Sequence, residues 1–238
     1  MMPKILAIET SEHYCSVAFF EGTTVLLQLI DSTERNHSQM LTVLINKLLE
    51  QLNLSVNLID AVAISKGPGS YTGLRIGTSV AKGLCYALEK PLIAVSTLEL
   101  MCYAALAAAD RQKVVLDSSI LCPMIDARRM EVYTQLFDVT LTPISSIEAK
   151  IISSETFTEI LADRKLILFG SGADKVAFLY NNPNAVFLKD VRPMAEFMAQ
   201  PAYDAYKQQR FENVAYFEPF YLKNFVATRA TKKWLGDR

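Results

Sequence analysis

Glu9, Asp60 and Asp126 stand at or near the ends of apolar runs that read as strands, a common place for catalytic carboxylates in α/β sheets. Capping and turn formation compete with that role, and they explain Asp60 best. His13 and His37 are the only histidines, and no HxxxH spacing joins them into a metal pair. His37 reads instead as a helix-start residue. Serines are plentiful, but no GxSxG elbow presents one as a nucleophile. Cys15, Cys85, Cys102 and Cys122 form no CxxC pair and have apolar neighbours, which suits four reduced, buried thiols. The motif GSGAD at 170–174 follows a strand and fits a plain strand-to-helix turn; nucleotide contact is the sharper alternative.

The densest candidate is SKGPGSYTGLRIGTSVAKG, residues 65–83, which holds five of the nine glycines. A strand, a Gly-rich turn and a helix N-terminus together make an anion site possible, because backbone N–H groups and the helix dipole favour negative charge there. Gly67, Gly69 and Ser70 are the residues that would face a nucleotide. Neither specific motif is met. The Walker pattern fails at Thr72-Gly73-Leu74, and the dinucleotide pattern has Thr72 where its third glycine belongs. A second reading uses the helix. Gly73, Gly77 and Ala81 recur at i, i+4 and i+8 on one stripe, which surrenders about 1 kcal/mol of helix propensity per glycine. Close approach by a neighbouring element would offset that loss. Ser70 or Thr72 is the expected cap.

The elements that position these residues follow from periodicity. KILAIETS (4–11), CSVAFFEG (15–22) and TVLLQLID (24–31) read as strands, the second and third joined by a turn at Gly22-Thr23. In HSQMLTVLINKLLEQL (37–52) the period changes to three and four, with Leu41, Leu44, Ile45, Leu48, Leu49 and Leu52 on one face. Asn36 or Ser38 is its expected cap. Met40 and Val43 widen that face, so the helix is expected to pack on two partners, one of them in another chain. IDAVAIS (59–65), the helix after the glycine loop, PLIAVS (91–96) and a helix from Thr97 to Ala109 complete a first βββαβαβα unit. ILCPMID (120–126), EVYTQLFDV (131–139), a weak strand within 144–152, a helix at 154–162, KLILFGSG (165–172) and AVFLKDV (185–191) repeat the order. The expected architecture is α/β, with two tandem lobes: residues 1–110 with the partner-binding helices, and 120–238 with a basic tail.

Composition is compatible with this: 51% hydrophobic and 21% charged residues support a sizeable core. A net charge of −1 gives no whole-molecule attraction to nucleic acid or acidic lipid. No apolar stretch is long enough for a membrane span, and no leader pattern opens the chain, so a cytoplasmic location is expected. The closing KNFVATRATKKWLGDR interleaves Lys223, Arg229, Lys232, Lys233 and Arg238 with Phe225 and Trp234. RNA contact and a solvated or partner-docking terminus are both open for it.

ILAIETS, SVAFFEG, the Asn-His-Ser before the leucine-rich helix, IDAVAISKGPGSYTGLRIGTSVAKGLCYAL and PLIAVSTLELM resemble the TsaB family of bacterial tRNA threonylcarbamoyladenosine biosynthesis proteins. IDARRMEVYTQLFD and PFYLKN look like that family too. The resemblance implies the glycoprotease-like branch of the actin/Hsp70/sugar-kinase superfamily, with ribonuclease H-like lobes. It places Thr97 and Met101 where the catalytic paralogue TsaD carries its two metal-binding histidines, and Glu9 where an Asp is usual. It therefore implies a non-catalytic scaffold or activator subunit with no cofactor of its own, and ATP or ADP only in the complex. Implied partners are a TsaD-like paralogue, a TsaE-like ATPase, tRNA through the complex, and a second copy when alone. The contact surface would be the first two helices, with Leu41, Leu44, Leu48, Gly73, Gly77 and Ala81 as candidates. A nucleotide-dependent kinase of the same fold, or a peptidase, is the rival reading.

Overall fold

The computed structural model describes residues 2–33 and 36–222. In the first of two sheets, β1 (Lys4–Glu9), β2 (Cys15–Glu21) and β3 (Thr24–Asp31) form an antiparallel meander. Strands β4 (Ala61–Ser65) and β5 (Leu92–Val95) continue it in parallel, in the order β3-β2-β1-β4-β5. The second sheet repeats the plan. Its meander is β6 (Ile120–Asp126), β7 (Glu131–Thr134) and β8 (Glu148–Ile151), and β9 (Leu166–Phe169) and β10 (Ala185–Leu188) lie parallel beyond β6. The same strand order built twice is the tandem α/β arrangement expected of actin/Hsp70-like lobes.

The unalternating apolar run of β1 is explained by burial on both faces. Leu6 and Ile8 point to a layer with α1 (His37–Gln51) and α2 (Tyr71–Leu88). Ile5 and Ala7 point to the opposite layer, which holds Leu100 of α3 (Thr97–Gln112). Helix α3 is shared: its Leu98, Met101, Cys102 and Ala105 pack against Leu121, Ile167 and Phe169 of the second sheet. Its alanines let both sheets come close. The far face of the second sheet is covered by α4 (Thr158–Asp163) and α5 (Ser171–Val176).

Three expectations change. Residues 131–139 do not form one strand; β7 stops at Thr134 because Asp138 Oδ1 accepts the N–H groups of Thr140 and Thr142, each at 2.9 Å, and folds the chain into a turn. The helix expected at 154–162 starts only at Thr158, because Thr156 Oγ1 accepts Ser153 N–H at 2.8 Å and holds the preceding residues as a turn. The 120–238 lobe is also not self-contained. Helix α6 (Ala199–Lys207) follows the second sheet in sequence, yet Ala199, Ala202 and Ala205 pack on Ile5, Ala7 and Ile93 of the first.

The glycine stripe of α2 meets the end of β1. A Cβ on Gly73 would run into the Thr10 carbonyl oxygen, and one on Gly77 into Thr10 Oγ1. The closeness is used, since Thr10 Oγ1 donates to the Gly73 carbonyl at 2.8 Å. Ser70 caps the helix by accepting Gly73 N–H at 3.2 Å. Gly83, in contrast, has open space where a Cβ would stand. Gly73→Ala is therefore expected to destabilise the chain by about 1–3 kcal/mol through overpacking against a backbone that cannot rotate away. Gly83→Ala is expected to stabilise it by up to about 1 kcal/mol. Denaturant midpoints of the two variants check both signs.

Candidate functional site

The β1–β2 turn supplies a polar crevice between the sheets, at the strand ends where ligands of α/β folds collect. Glu9 is buried there, and its Oε1 accepts Ser11 N–H at 2.5 Å. Burial pushes its carboxyl above the ordinary range, against opposing contacts from Ser11 and Ser65. Glu12 reaches across the crevice, where its Oε1 accepts the Ser171 hydroxyl at the start of α5. Burial pushes the Glu12 carboxyl up to about 7; Ser171 and Arg192 oppose the rise, while Glu9 and Asp126 add to it. Ser171 Oγ in turn accepts Asp126 N–H at 3.0 Å. Lys175 pairs with Asp126 at 2.5 Å and Arg192 with Asp174 at 2.7 Å. The turn thus concentrates carboxylates beside Lys175 and Arg192, which are paired, and the cavity lined by Tyr14 and Arg192 also holds Arg111.

The glycine turn offers little to an anion. Gly67 is buried under the chain's own closing segment, with Phe220 O only 2.7 Å from where its Cβ would lie. Phe220 N–H donates to Lys66 O at 2.7 Å, and the Tyr71 and Tyr221 rings lie 4.9 Å apart. Ser70 N–H is spent on Ser11 O at 2.6 Å, and Gly69 sits tight on the same carbonyl. Gly67, Gly69 and Ser70 therefore serve chain packing.

Thr97 and Met101 are both fully buried on α3, and the Met101 methyl packs onto Gly170. His37 Nε2 lies 3.3 Å from Tyr14 O, and His13 stacks edge-on against Tyr14. Among the described residues no group of three His, Cys, Asp or Glu is placed to hold a metal. Asp60 accepts Lys4 N–H at 2.8 Å, at the opposite end of the sheet from the crevice. All four cysteines are free and buried, with burial raising each thiol. The basic tail from Lys223 lies outside the described residues. Sequence reasoning missed Glu12 and read Ser171 only as part of the GSGAD turn; the polar run Glu9-Thr10-Ser11-Glu12 directly after an apolar strand was the signal for Glu12.

The contact-surface expectation needs correction. Leu41, Leu44, Leu48 and Ala81 are only 1%, 6%, 0% and 0% exposed, and Gly73 and Gly77 are buried against Thr10. All six belong to the interior of this chain, because the apolar face of each helix must cover the first sheet before anything else. The outward faces are different residues. Val43 of α1 is 39% exposed and Tyr86 of α2 is 84% exposed. Ser79, Gly83 and Ala87 form a second small-residue stripe, at i, i+4 and i+8, on the exposed side of α2. The sequence carries two such stripes, and only burial tells which is inward.

Fold and crevice together define a two-lobed protein of the actin/Hsp70-like class. The crystal structure of an uncharacterized Pseudomonas aeruginosa protein with similarity to peptidase YeaZ matches with a TM-score of 0.77 at 26% identity, covering 93% of this chain and 100% of that one. The family model for TsaD, tRNA N6-adenosine threonylcarbamoyltransferase, matches residues 29–181. Escherichia coli TsaB, a tRNA threonylcarbamoyladenosine biosynthesis protein, is 31% identical over 233 residues, 94% of this chain and 96% of that one. Bacillus subtilis TsaB is 37% identical over 133 residues, 56% of this chain and 54% of that one. The chain belongs to the TsaB family of tRNA threonylcarbamoyladenosine biosynthesis proteins. No helix among the described residues is long and apolar enough to cross a membrane.

The raised Glu12 carboxyl has a pH signature. Between its unfolded value near 4.5 and its folded value of about 7, the folded chain keeps a proton that the unfolded chain has lost. Its contribution is fully present below pH 4.5 and lost as pH rises through 7, with a slope of at most about 1.4 kcal/mol per pH unit. Glu12→Gln is expected to flatten the stability curve in that window, as read by denaturant titrations at several pH values.

Proposed function

We propose that this chain is a non-catalytic scaffold or activator subunit of the assembly that transfers a threonylcarbamoyl group to the tRNA adenosine beside the anticodon. It acts by binding a TsaD-like catalytic paralogue. The observation that carries the reading is the exposed side of α2. A Cβ on Gly83 would meet nothing within 4 Å, so the glycine costs the helix stability without an internal reason, while Tyr86 beside it is 84% exposed. A small-residue stripe flanked by an exposed aromatic suits close approach by a partner helix. The same face would pair two copies of the chain when the paralogue is absent.

A TsaE-like ATPase and tRNA join through the complex, and ATP or ADP belongs to that complex. The cytoplasm is where such an assembly would work. The carboxylates of the crevice weigh against the kinase reading, and the absence of a nucleophile elbow weighs against a peptidase.

Reconstitution from purified components tests this. The chain alone should leave tRNA unmodified, and a TsaD-like partner should become active only when it is added. Equal activity of the partner without it overturns the proposal. Gly83→Leu should fold normally and weaken association by about 30-fold or more, a loss of about 2 kcal/mol. Sedimentation and thermal unfolding together read both effects.

A further inference from the structure

A cavity of about 260 Å³ lies where the first sheet, α3 and the segment after β10 meet. Ile30, Ala104, Met194 and Phe197 give it an apolar wall. Arg111, Arg192, Asp190 and Glu196 line the same space, so two cations and two carboxylates share it.

The walls are pinned by other groups. Gln112 Nε2 donates to Lys189 O at 2.9 Å, and Gln112 Oε1 accepts Lys189 N–H at 3.3 Å, which fixes the turn before Asp190 to the end of α3. Ser16 Oγ accepts Ala195 N–H at 3.0 Å, and Gln28 Oε1 accepts Glu196 N–H at 2.9 Å, which fixes the next stretch to the first sheet. Arg192 donates to Asp174 at 2.7 Å and to Val191 O at 2.8 Å. Arg111, Asp190 and Glu196 join no ion pair among the described residues. Opposite charges are thus held around one cavity by bonds that do not involve those charges, and they do not quench one another.

That arrangement selects among ligands. An inorganic anion would suit the arginines and be repelled by Asp190 and Glu196. A metal cation would suit the carboxylates and be repelled by Arg111. An apolar ligand would leave all four charges unanswered. A molecule with a carboxylate and an ammonium close together meets both signs at once. The cavity is smaller than the roughly 300–1,000 Å³ of drug-sized sites, so the ligand is small. The apolar wall leaves room for a short side chain.

We infer that this cavity binds a free α-amino acid with a short side chain. Arg111 and Arg192 serve its carboxylate, Asp190 and Glu196 serve its ammonium, and the apolar wall receives its side chain. The walls come from both halves of the fold, so the bound ligand ties them together.

Thermal unfolding and calorimetry of the full chain at pH 7 with L-alanine, L-valine and L-threonine test the site. At least one should give a saturable calorimetric signal and raise Tm by about 5 °C at a hundredfold excess over its Kd. The N-acetyl and amide forms of that amino acid, which copy the two ends of a peptide chain and each lack one charge, should bind at least about tenfold more weakly. Arg111→Gln and Glu196→Gln, at an exposed and a half-buried position, should each weaken binding about tenfold or more. Their unliganded Tm should stay within about 2 °C of the parent, which separates lost binding from lost fold. No saturable signal from any of the three amino acids overturns the inference. Equal binding of the N-acetyl form overturns it in favour of a plain carboxylate or a chain terminus, and equal binding of the amide overturns it in favour of an amine. Binding that survives both substitutions unchanged overturns it too.

Discussion

The contact on which the first lobe depends is the passage of α2 across the end of β1 at Thr10. A helix can lie that close to a strand end only where it has no side chains, so Gly73 and Gly77 give up helix propensity to stand there. The carbonyl of Gly73 then receives the Thr10 hydroxyl, and the Ser70 N–H receives cover from the Ser11 carbonyl. These bonds fix the β1–β2 turn, and the turn carries Glu9, Ser11 and Glu12. The geometry of the crevice is therefore set on the far side of the sheet, by two residues without side chains.

The second constraint is α3. Its residues divide between two sheets, with Leu100 on the first and Met101 and Cys102 on the second. A hinge in an open two-lobed enzyme would keep such a helix clear of one lobe. Here apolar side chains hold both. Met101 fills the space against Gly170, and the Glu12–Ser171 contact adds a polar tie above it. Closing the crevice with methyl groups and paired charges leaves the outer face of α1 and α2 as the surface with unmet contacts.

Much of the fold was legible in the sequence. The unalternating strand β1 announced double burial, and the 3-4 spacing of leucines announced α1. The short elements of the second lobe were not, because Asp138 and Thr156 override propensity through local hydrogen bonds. The partner surface was half legible. Periodicity identifies a small-residue stripe and cannot say whether sheet or partner lies opposite. Met40 and Val43 were the better clue, since they exceed what one buried face can use, and they lie half-buried and exposed respectively.

The crevice was the least legible part, for a physical reason. Glu9 looks like any strand-end acid in sequence, and its character comes from burial and from a neighbour 56 positions away, Ser65. Only the parallel register of β1 and β4 brings the two together. Burial then makes a carboxylate of ordinary sequence context a group that must find a counter-charge or a proton. The glycine turn shows the converse. Its letters advertise an anion site, but its Ser70 N–H is spent on the Ser11 carbonyl and Gly67 lies against the Phe220 carbonyl. The buried polar atoms that the packing leaves unpaired lie elsewhere, among them Glu9 Oε2 at the end of β1, Ser65 Oγ at the end of β4 and Thr97 Oγ1 at the start of α3.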